Sequence, residues 1–188
     1  MPHMSAEFPG EVCIALEASP RNGVAIFLNG AAGDINPPTV SCGPEYAIKH
    51  GKAIVKVVEK SDPVMISDQT FSFLNRTRQF NIRPGSNMAN PNDAIGRLNA
   101  ICLGSVAILF LPGEPFTETA WTIEQNSPFE QTIVVAYAEN NIGYIPTLLA
   151  AQQGGYEAGP GKWSFLEPGA DGLLIEEALL LLKELYNN

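Results

Sequence analysis

Charged residues are scarce in this sequence, at 16% of 188 residues, where an average soluble domain has roughly 25%. A low charge fraction indicates either a surface that another domain or subunit covers, or an ordinary Gly- and Pro-rich α/β protein. Basic residues are scarcest in the second half, because residues 98–188 hold two Lys/Arg against eleven Asp/Glu and so supply the whole net charge of −9. Such a chain repels phosphate backbones and has no basic stripe, which argues against nucleic-acid and membrane-surface partners.

Cysteine, histidine and long apolar runs are also rare in this sequence. Cys13, Cys42 and Cys102 lie far apart with no Cys-x-x-Cys pair, so the sequence indicates neither a zinc knuckle nor a disulfide framework. The two histidines are His3 and His50, and His50 falls in a helical stretch where a surface position is expected. No stretch reaches the ~18–20 apolar residues of a membrane span, and no signal-peptide pattern is visible at the N-terminus. The compartment is therefore left open.

Helical and extended patterns alternate along the whole chain. Apolar residues recur at helical spacing or cluster in short β-like runs, with no repeat and no long linker between them. The expected helices span 9–18, 44–60, 115–125, 147–153 and 170–186, and the expected extended runs span 24–28, 64–82, 95–102, 106–111 and 132–138. The run 132–138 is nearly all apolar, which is typical of a central strand covered on both faces. This alternation predicts an α/β fold, a mixed β-sheet layered with helices, in a single domain over residues 1–188.

Four loops share one pattern, in which an apolar strand ends and a Gly-containing turn carries polar residues. They span 29–37, 111–116, 140–147 and 154–157. Loops at strand ends are where α/β folds build their functional sites, and glycines there allow close backbone approach. We expect any chemistry of this chain to lie in these loops.

Glu114 is the strongest single candidate for a metal ligand. It follows the strand-like run Leu109-Phe110-Leu111 in Leu-Pro-Gly-Glu, and it opens an expected helix, whose N-terminus favours an ionised carboxylate. On this pattern alone, a plain helix-start glutamate is the better explanation.

Tyr144 and Tyr156 are the next candidates. They lie twelve positions apart (156 − 144 = 12) in two Gly-rich loops. A phenol in such a loop can ligate a metal or donate a hydrogen bond to an oxyanion. The alternative is a pair of tyrosines that only pack their loops.

These segments, taken in order, resemble one enzyme family. Phe-Leu-Asn-Gly-Ala-Ala-Gly-Asp-Ile-Asn-Pro at 27–37 is followed by Leu-Pro-Gly-Glu-Pro-Phe at 111–116, Asn-Ile-Gly-Tyr-Ile-Pro-Thr at 141–147 and Gly-Gly-Tyr-Glu at 154–157. Together with Ser-Ala-Glu-Phe-Pro-Gly at 5–10, they are similar to the neutral/alkaline ceramidase family, especially its bacterial ceramidase-like members. The resemblance implies that the chain corresponds to the later part of that family's catalytic domain.

The resemblance implies a zinc-dependent amidohydrolase acting on the amide of N-acylsphingosine, a sphingolipid. The family's zinc is held by two histidines, a glutamate and a tyrosine. Glu114 matches the glutamate and Tyr144 the tyrosine, while Tyr156 matches a second active-site tyrosine that helps hold the oxyanion. Asp34 and Asn36 fall in the family's Gly-Asp-x-Ser-Pro segment and are therefore also candidate catalytic residues.

The sequence departs from the family in two places. The family's zinc histidines lie upstream of the segment that begins at Ser5, and His3 is too close to Ser5 to match either, so the zinc site is expected to be incomplete in this chain. Asn36 stands where the family has its active-site serine, and an amide cannot replace that hydroxyl, although it can hydrogen-bond a substrate. These departures make another lipid amide or ester an alternative to ceramide.

Two functions are compatible with these residues. The first is a zinc-dependent, ceramidase-like domain that hydrolyses an N-acyl lipid or related amide when complete and is inactive as this fragment. The second is a non-catalytic binding or interaction module on the same scaffold. In either case we expect an apolar face that an N-terminal segment or a second copy covers. The family resemblance suggests a secreted or periplasmic protein.

Overall fold

A computed structural model describes residues 4–19, 23–38, 42–62, 65–66, 68, 70–88, 90–159 and 163–188. The expectations for His3, for parts of the run 64–82 and for part of the loop that follows Tyr156 lie outside these residues. The chain divides into two compact units, Met1–Leu28 with Asn36–Met65, and Asn29–Ile35 with Ile66–Asn188. The prediction of a single domain remains a prediction.

The first unit is a pair of packed helices, α1 (Glu7–Glu17) and α2 (Pro44–Val58). They approach closely at Gly51, where a Cβ atom would lie 2.6 Å from the Cβ of Glu11. His50 makes an edge-to-face contact with the ring of Phe8 on α1, which leaves it half-buried.

The second unit is built on a four-stranded sheet. Its strands are β1 (Phe71–Gln79), β2 (Ile95–Leu103), β3 (Val106–Phe110) and β5 (Gln131–Val135), in the order β1-β2-β3-β5. The first two pairings are antiparallel and the third is parallel. Gly104 closes the β2–β3 hairpin at φ 57°, a conformation that glycine adopts without strain. A mixed sheet with helices is the predicted fold class, and that prediction is confirmed.

A second, smaller pairing carries the loops of interest. β4 (Glu114–Pro115) pairs in parallel with β6 (Tyr144–Ile145). The helix α3 (Thr117–Asn126) follows β4, and α4 (Leu148–Gln153) follows β6. The chain ends in α5 (Ala170–Tyr186). Among the described residues, no helix is long and apolar enough to cross a membrane.

The core lies between one face of the sheet and the helices α3 and α5. Fully buried side chains come from alternate positions of the strands and from one stripe of α5: Leu98, Ala100, Ala107, Leu109, Leu174, Ala178, Leu181 and Leu182. Burying each large aliphatic side chain stabilises the fold by about 1.5–3 kcal/mol. The amphipathic pattern of residues 170–186 predicts this stripe.

A buried carboxylate joins the sheet to α5. Glu177 is buried on α5 and pairs with Arg76 and Arg78 of β1, the latter at 3.3 Å. A carboxylate is stable in such a place only when it is paired. The hydrogen bond to Glu177 is also the main cause that raises the pKa of Arg76.

Two strand predictions differ from the structure. Residues 24–28 form no strand, and Val24 and Ile26 are largely exposed. The run 132–138 is not a central strand, because β5 lies at the edge of the described strand order. Beyond β5, the N–H of Ala136 donates to the carbonyl oxygen of Asn29. The apolar pattern indicates where a strand can form but does not specify its neighbours.

Candidate functional site

Glu114 is positioned by backbone hydrogen bonds on both sides of its turn. The chain leaves β3 through Leu111, whose N–H donates to the carbonyl oxygen of Val135 at 2.7 Å. Gly113 then turns at φ 64°, and a Cβ there would lie 2.6 Å from the carbonyl oxygen of Gly143. The N–H of Glu114 donates to that same oxygen at 2.9 Å. The glycine of Leu-Pro-Gly-Glu is therefore required for the turn to reach β6.

Tyr144 lies directly beside Glu114 in this pairing. The two residues are register partners in the parallel β4–β6 ladder, so they lie on neighbouring strands about 4.8 Å apart. Gly143 precedes Tyr144 at φ 78°, and a Cβ there would lie 2.4 Å from the carbonyl oxygen of Trp163. The N–H of Tyr144 donates to that oxygen at 2.9 Å. The structure thus brings together the two candidate metal ligands.

Tyr156 joins the pair through its side chain. Its hydroxyl lies 3.3 Å from that of Tyr144, and the two rings are perpendicular with centroids 5.7 Å apart. The ring of Tyr156 is more than half exposed, whereas Tyr144 is half-buried. A phenol that is both exposed and hydrogen-bonded can reach a bound ligand.

Tyr137, which the sequence patterns above did not identify, belongs to the same cluster. It follows β5 at φ 57°, a conformation that costs a non-glycine residue roughly 1 kcal/mol or more. Its N–H donates to the carbonyl oxygen of Gly113, and its side chain lines the same cleft as Glu114. The sequence does contain an indication of this position. Tyr137 is the first polar residue after the apolar run of β5, and polar residues after an apolar strand are what the four candidate loops share. The candidate loop predicted from the sequence starts at Asn140 and therefore excludes Tyr137.

The electrostatics of the cluster favour neutral phenols. Burial, followed by the negative charge of Glu114, raises the pKa of Tyr137 to about 12. The pKa of Tyr144 is also raised, first by its hydrogen bond with Tyr156, then by burial and by the charge of Glu114. Both hydroxyls therefore keep their protons near neutral pH and act as hydrogen-bond donors.

An open cleft of about 310 Å³ borders Glu114. Its walls include Tyr137, Glu139 and Asn140. The carboxylate of Glu139 accepts a hydrogen bond from the side-chain amide of Asn99. A small polar group of a ligand has access to Glu114 from this side.

Asp34 fastens the loop 29–35 to the start of α3. Its carboxylate accepts hydrogen bonds from the N–H and the hydroxyl of Thr117, each at 2.8 Å. The N–H of Gly33 donates to the carbonyl oxygen of Pro115 at 3.0 Å, and a Cβ at Gly33 would lie 2.5 Å from that of Glu114. The contacts of Asp34 are those of a residue that positions the Glu114 segment.

We expect Asp34→Ala to lower the free energy of unfolding by about 1 kcal/mol, because the first turn of α3 loses an acceptor comparable to a helix cap. Urea denaturation followed by circular dichroism measures this change. Thr117→Val serves as the partial control, since it removes only the hydroxyl bond and should have a smaller effect. Equal stability of Asp34→Ala and the unchanged protein would contradict the role of Asp34 as an anchor.

Asn36 lies in the first unit, where its side chain is exposed. It lines an open cavity of about 680 Å³ together with Ser5, Tyr46 and His50. The candidate residues therefore fall into a cluster of Glu114, Tyr144 and Tyr156 with Asp34 nearby, and a position in the other unit at Asn36. The catalytic and metal-binding roles of all five remain predictions.

The chemistry of the cluster's donors decides whether they fit a zinc ion. Within the described ranges, no three or more His, Cys, Asp or Glu side chains are grouped so that they could hold a metal ion. The donors near Glu114 are a carboxylate and phenols, whereas zinc favours imidazole and thiolate in a tetrahedral set of four. The donors present do not fit a complete zinc site.

Comparison with known proteins reveals similarity in structure only. No protein-family model matches the sequence, and no curated protein matches it. The crystal structure of neutral ceramidase from Pseudomonas aeruginosa aligns with 97% of this chain and 41% of its own, with TM-score 0.70 and 14% identity. A ceramidase complexed with C2 aligns with 98% of this chain and 43% of its own, with TM-score 0.76 and 13% identity.

These alignments show that the chain has a ceramidase-like fold, as the order of its loops predicts. The chain spans about two fifths of the length of the two ceramidase chains it matches.

Proposed function

We propose that this chain forms part of a zinc-dependent, ceramidase-like amidohydrolase domain that acts on an N-acyl lipid or a related amide. The main support is the register pairing of Glu114 with Tyr144, with the hydroxyl of Tyr156 3.3 Å from that of Tyr144. Three residues from three separate loops converge on one point, each carrying a group that amide hydrolysis can use.

In this proposal Glu114 and Tyr144 are two of four zinc ligands. The other two are histidines contributed by polypeptide outside these 188 residues. Because two oxygen donors do not make a zinc site, the chain alone is proposed to be inactive.

Tyr156 is proposed to bind the carbonyl oxygen of the scissile amide. A protonated phenol placed 2.7–3.1 Å from the developing oxyanion stabilises it, and removing one such donor typically costs about 10²–10³ in rate. The hydroxyl of Tyr144, which is its partner in the structure, fixes the direction of the Tyr156 ring.

The cleft beside Glu114 is proposed to accept part of the substrate. With Glu139 and Asn140 in its wall, it accommodates a polar group next to the amide. Asn36, in the other unit, offers an amide in place of a hydroxyl and so cannot transfer a proton as a serine would. A lipid amide other than ceramide, or an ester, is therefore proposed as an alternative substrate.

Zinc binding to the isolated chain tests the incomplete site. We expect a calorimetric titration to show a dissociation constant weaker than about 10 µM, because only two oxygen ligands are present. Glu114→Ala should lower this weak binding further, whereas the matched control Glu118→Ala, an exposed glutamate of the next helix, should not. One-to-one binding at micromolar affinity or tighter that is lost in Glu114→Ala would show that the chain completes a site by itself.

Hydrolysis assays separate the enzyme from a binding module. The isolated chain with excess zinc should not hydrolyse an N-acyl amide. The same chain joined to a polypeptide that supplies two zinc histidines should, and Tyr156→Phe should then lower kcat more than KM. Binding of the amide by the joined protein with no hydrolysis would favour the non-catalytic module.

A further inference from the structure

Arg83 lies in a short extended segment of the second unit, near the two tyrosines of the candidate site. Pro84 follows it, and a residue before proline is restricted to extended backbone. The N–H of Arg83 donates to the carbonyl oxygen of Phe165 at 2.9 Å, next to the bridge between Ile82 and Leu166. The backbone of Arg83 is therefore held in place, which gives its long side chain a fixed origin.

The segment 163–166 connects Arg83 to Tyr144. At one end of this segment, the carbonyl oxygen of Phe165 accepts the N–H of Arg83. At the other end, the carbonyl oxygen of Trp163 accepts the N–H of Tyr144 at 2.9 Å. Arg83 and Tyr144 also line one small cavity of about 10 Å³. The arginine therefore lies directly beside the strand that carries the candidate metal ligand.

The guanidinium of Arg83 links this segment to the loop that carries Tyr156. Its Nη1 donates to the carbonyl oxygen of Ala158 at 2.7 Å and to the hydroxyl of Ser164 at 3.4 Å. Ala158 and Ser164 are both buried. A buried carbonyl oxygen requires a donor, and a cationic donor makes a stronger hydrogen bond than a neutral one. Because Ala158 comes two positions after Tyr156, this bond constrains the position of that ring.

The loop 154–159 needs such an anchor. It begins at Gly154 and Gly155, which have φ 88° and 112°, and glycine leaves the backbone more freedom than any other residue. A Cβ at Gly154 would meet no atom within 4 Å, and Tyr156 is 60% exposed, so packing holds the loop only weakly. Among the described residues, its hydrogen bonds to positions beyond α4 are those of the Ala158 carbonyl and the Tyr156 hydroxyl.

We propose that Arg83 is a positioning residue, which holds the hydroxyl of Tyr156 against that of Tyr144 by fastening the loop at Ala158. A guanidinium is planar and presents its donors in a rigid fork, so one side chain can join two acceptors from different segments. The placement of Tyr156 stands apart from the proposed hydrolysis, whereas its consequence for catalysis rests on that proposed function.

Limited proteolysis with chymotrypsin tests the anchor, with mass spectrometry to identify each cut. Cleavage after Tyr156 should be at least about tenfold faster in Arg83→Met, because the loop opens more often when its anchor is removed. Cleavage after Trp121, in the middle of α3, should stay slow, since it requires the fold to open. Arg83→Lys keeps one cationic donor and should fall between Arg83→Met and the unchanged protein. Lys183→Met, at an exposed cation of α5, is the matched control and should change neither rate.

Nuclear magnetic resonance reports the contact between the two tyrosines directly. The unchanged protein should show a nuclear Overhauser effect between the rings of Tyr144 and Tyr156, whose centroids are 5.7 Å apart, and Arg83→Met should lose it. If Arg83→Met does not fold by circular dichroism, Arg83→Gln keeps a polar side chain without the charge and should lose the same contact. Retention of the contact in a folded variant, or equal acceleration of both cleavages, would overturn the proposal.

The effect on catalysis is measured separately, in the chain joined to a polypeptide that supplies two zinc histidines. There Arg83→Met should lower kcat more than KM, because Tyr156 is proposed to act on the oxyanion of the transition state. A loop that loosens in a joined protein without hydrolysis would contradict the proposed function and support the positioning role. Full kcat with a loosened loop would show that Tyr156 need not be held by Arg83, and would overturn the inference.

Discussion

Gly143→Ala is expected to lower the free energy of unfolding by about 2–4 kcal/mol, the sum of a left-handed backbone penalty and a steric clash. Gly143 has φ 78°, and an added Cβ would lie 2.4 Å from the carbonyl oxygen of Trp163. That oxygen accepts the N–H of Tyr144, so the clash acts directly on the strand that carries this residue. The β4–β6 pair should loosen, and Glu114 should lose the partner of its own N–H.

Two measurements check this result. Urea denaturation gives the stability, and amide hydrogen exchange reports the Glu114 N–H, whose exchange should accelerate once the carbonyl oxygen of Gly143 moves. Gly85→Ala is the matched control, because Gly85 has φ 81° and no atom within 4 Å of an added Cβ. It carries the backbone penalty without the clash. Equal losses in the two variants would mean that the approach of Trp163 to Gly143 does not constrain the site.

Leu111→Ala is expected to cost 2–5 kcal/mol, roughly the range for truncating a buried leucine. Leu111 is fully buried and immediately precedes the Pro-Gly-Glu turn. Its N–H donates to the carbonyl oxygen of Val135, and its own carbonyl oxygen accepts the N–H of Ala138. The cavity left by the missing methyl groups therefore opens beneath the turn that presents Glu114.

Thermal and urea unfolding of Leu111→Ala give this value. Leu180→Ala provides the comparison, since Leu180 is 45% exposed on α5 and its truncation should cost less than about 1 kcal/mol. The Leu111 variant should also weaken any ligand binding at Glu114 more than the Leu180 variant does. A small loss of stability in Leu111→Ala would show that the surrounding side chains fill the cavity beneath the turn without a cost in free energy.

Much of the fold can be predicted from local patterns. The amphipathic spacing of residues 170–186 specifies α5, and Leu-Gly-Ser at 103–105 indicates the hairpin between β2 and β3. The strand order could not be predicted, because apolar character indicates burial without naming the neighbour. For the same reason residues 24–28 have the composition of a strand but form none.

The candidate site could be predicted only in part. The ordered loops identify Glu114, Tyr144 and Tyr156, and the structure places them together. The sequence does not reveal that Asp34 contacts Thr117, because that contact joins positions 83 residues apart. Tyr137 was missed because the apolar pattern predicts a strand as far as residue 138, whereas β5 ends at Val135 and leaves Tyr137 in the loop beside Glu114.

The ladder between β4 and β6 also affects how this protein can diverge. Main-chain hydrogen bonds and glycines hold Glu114 and Tyr144 side by side, so exchanging either side chain leaves the ladder intact. Ancestors and descendants of this chain can therefore replace the acid or the phenol and acquire different chemistry on an unchanged framework. Substitutions at Gly113 or Gly143 would disrupt the ladder. Sequence changes at the site should therefore be confined to the positions that follow these glycines, 114 and 144.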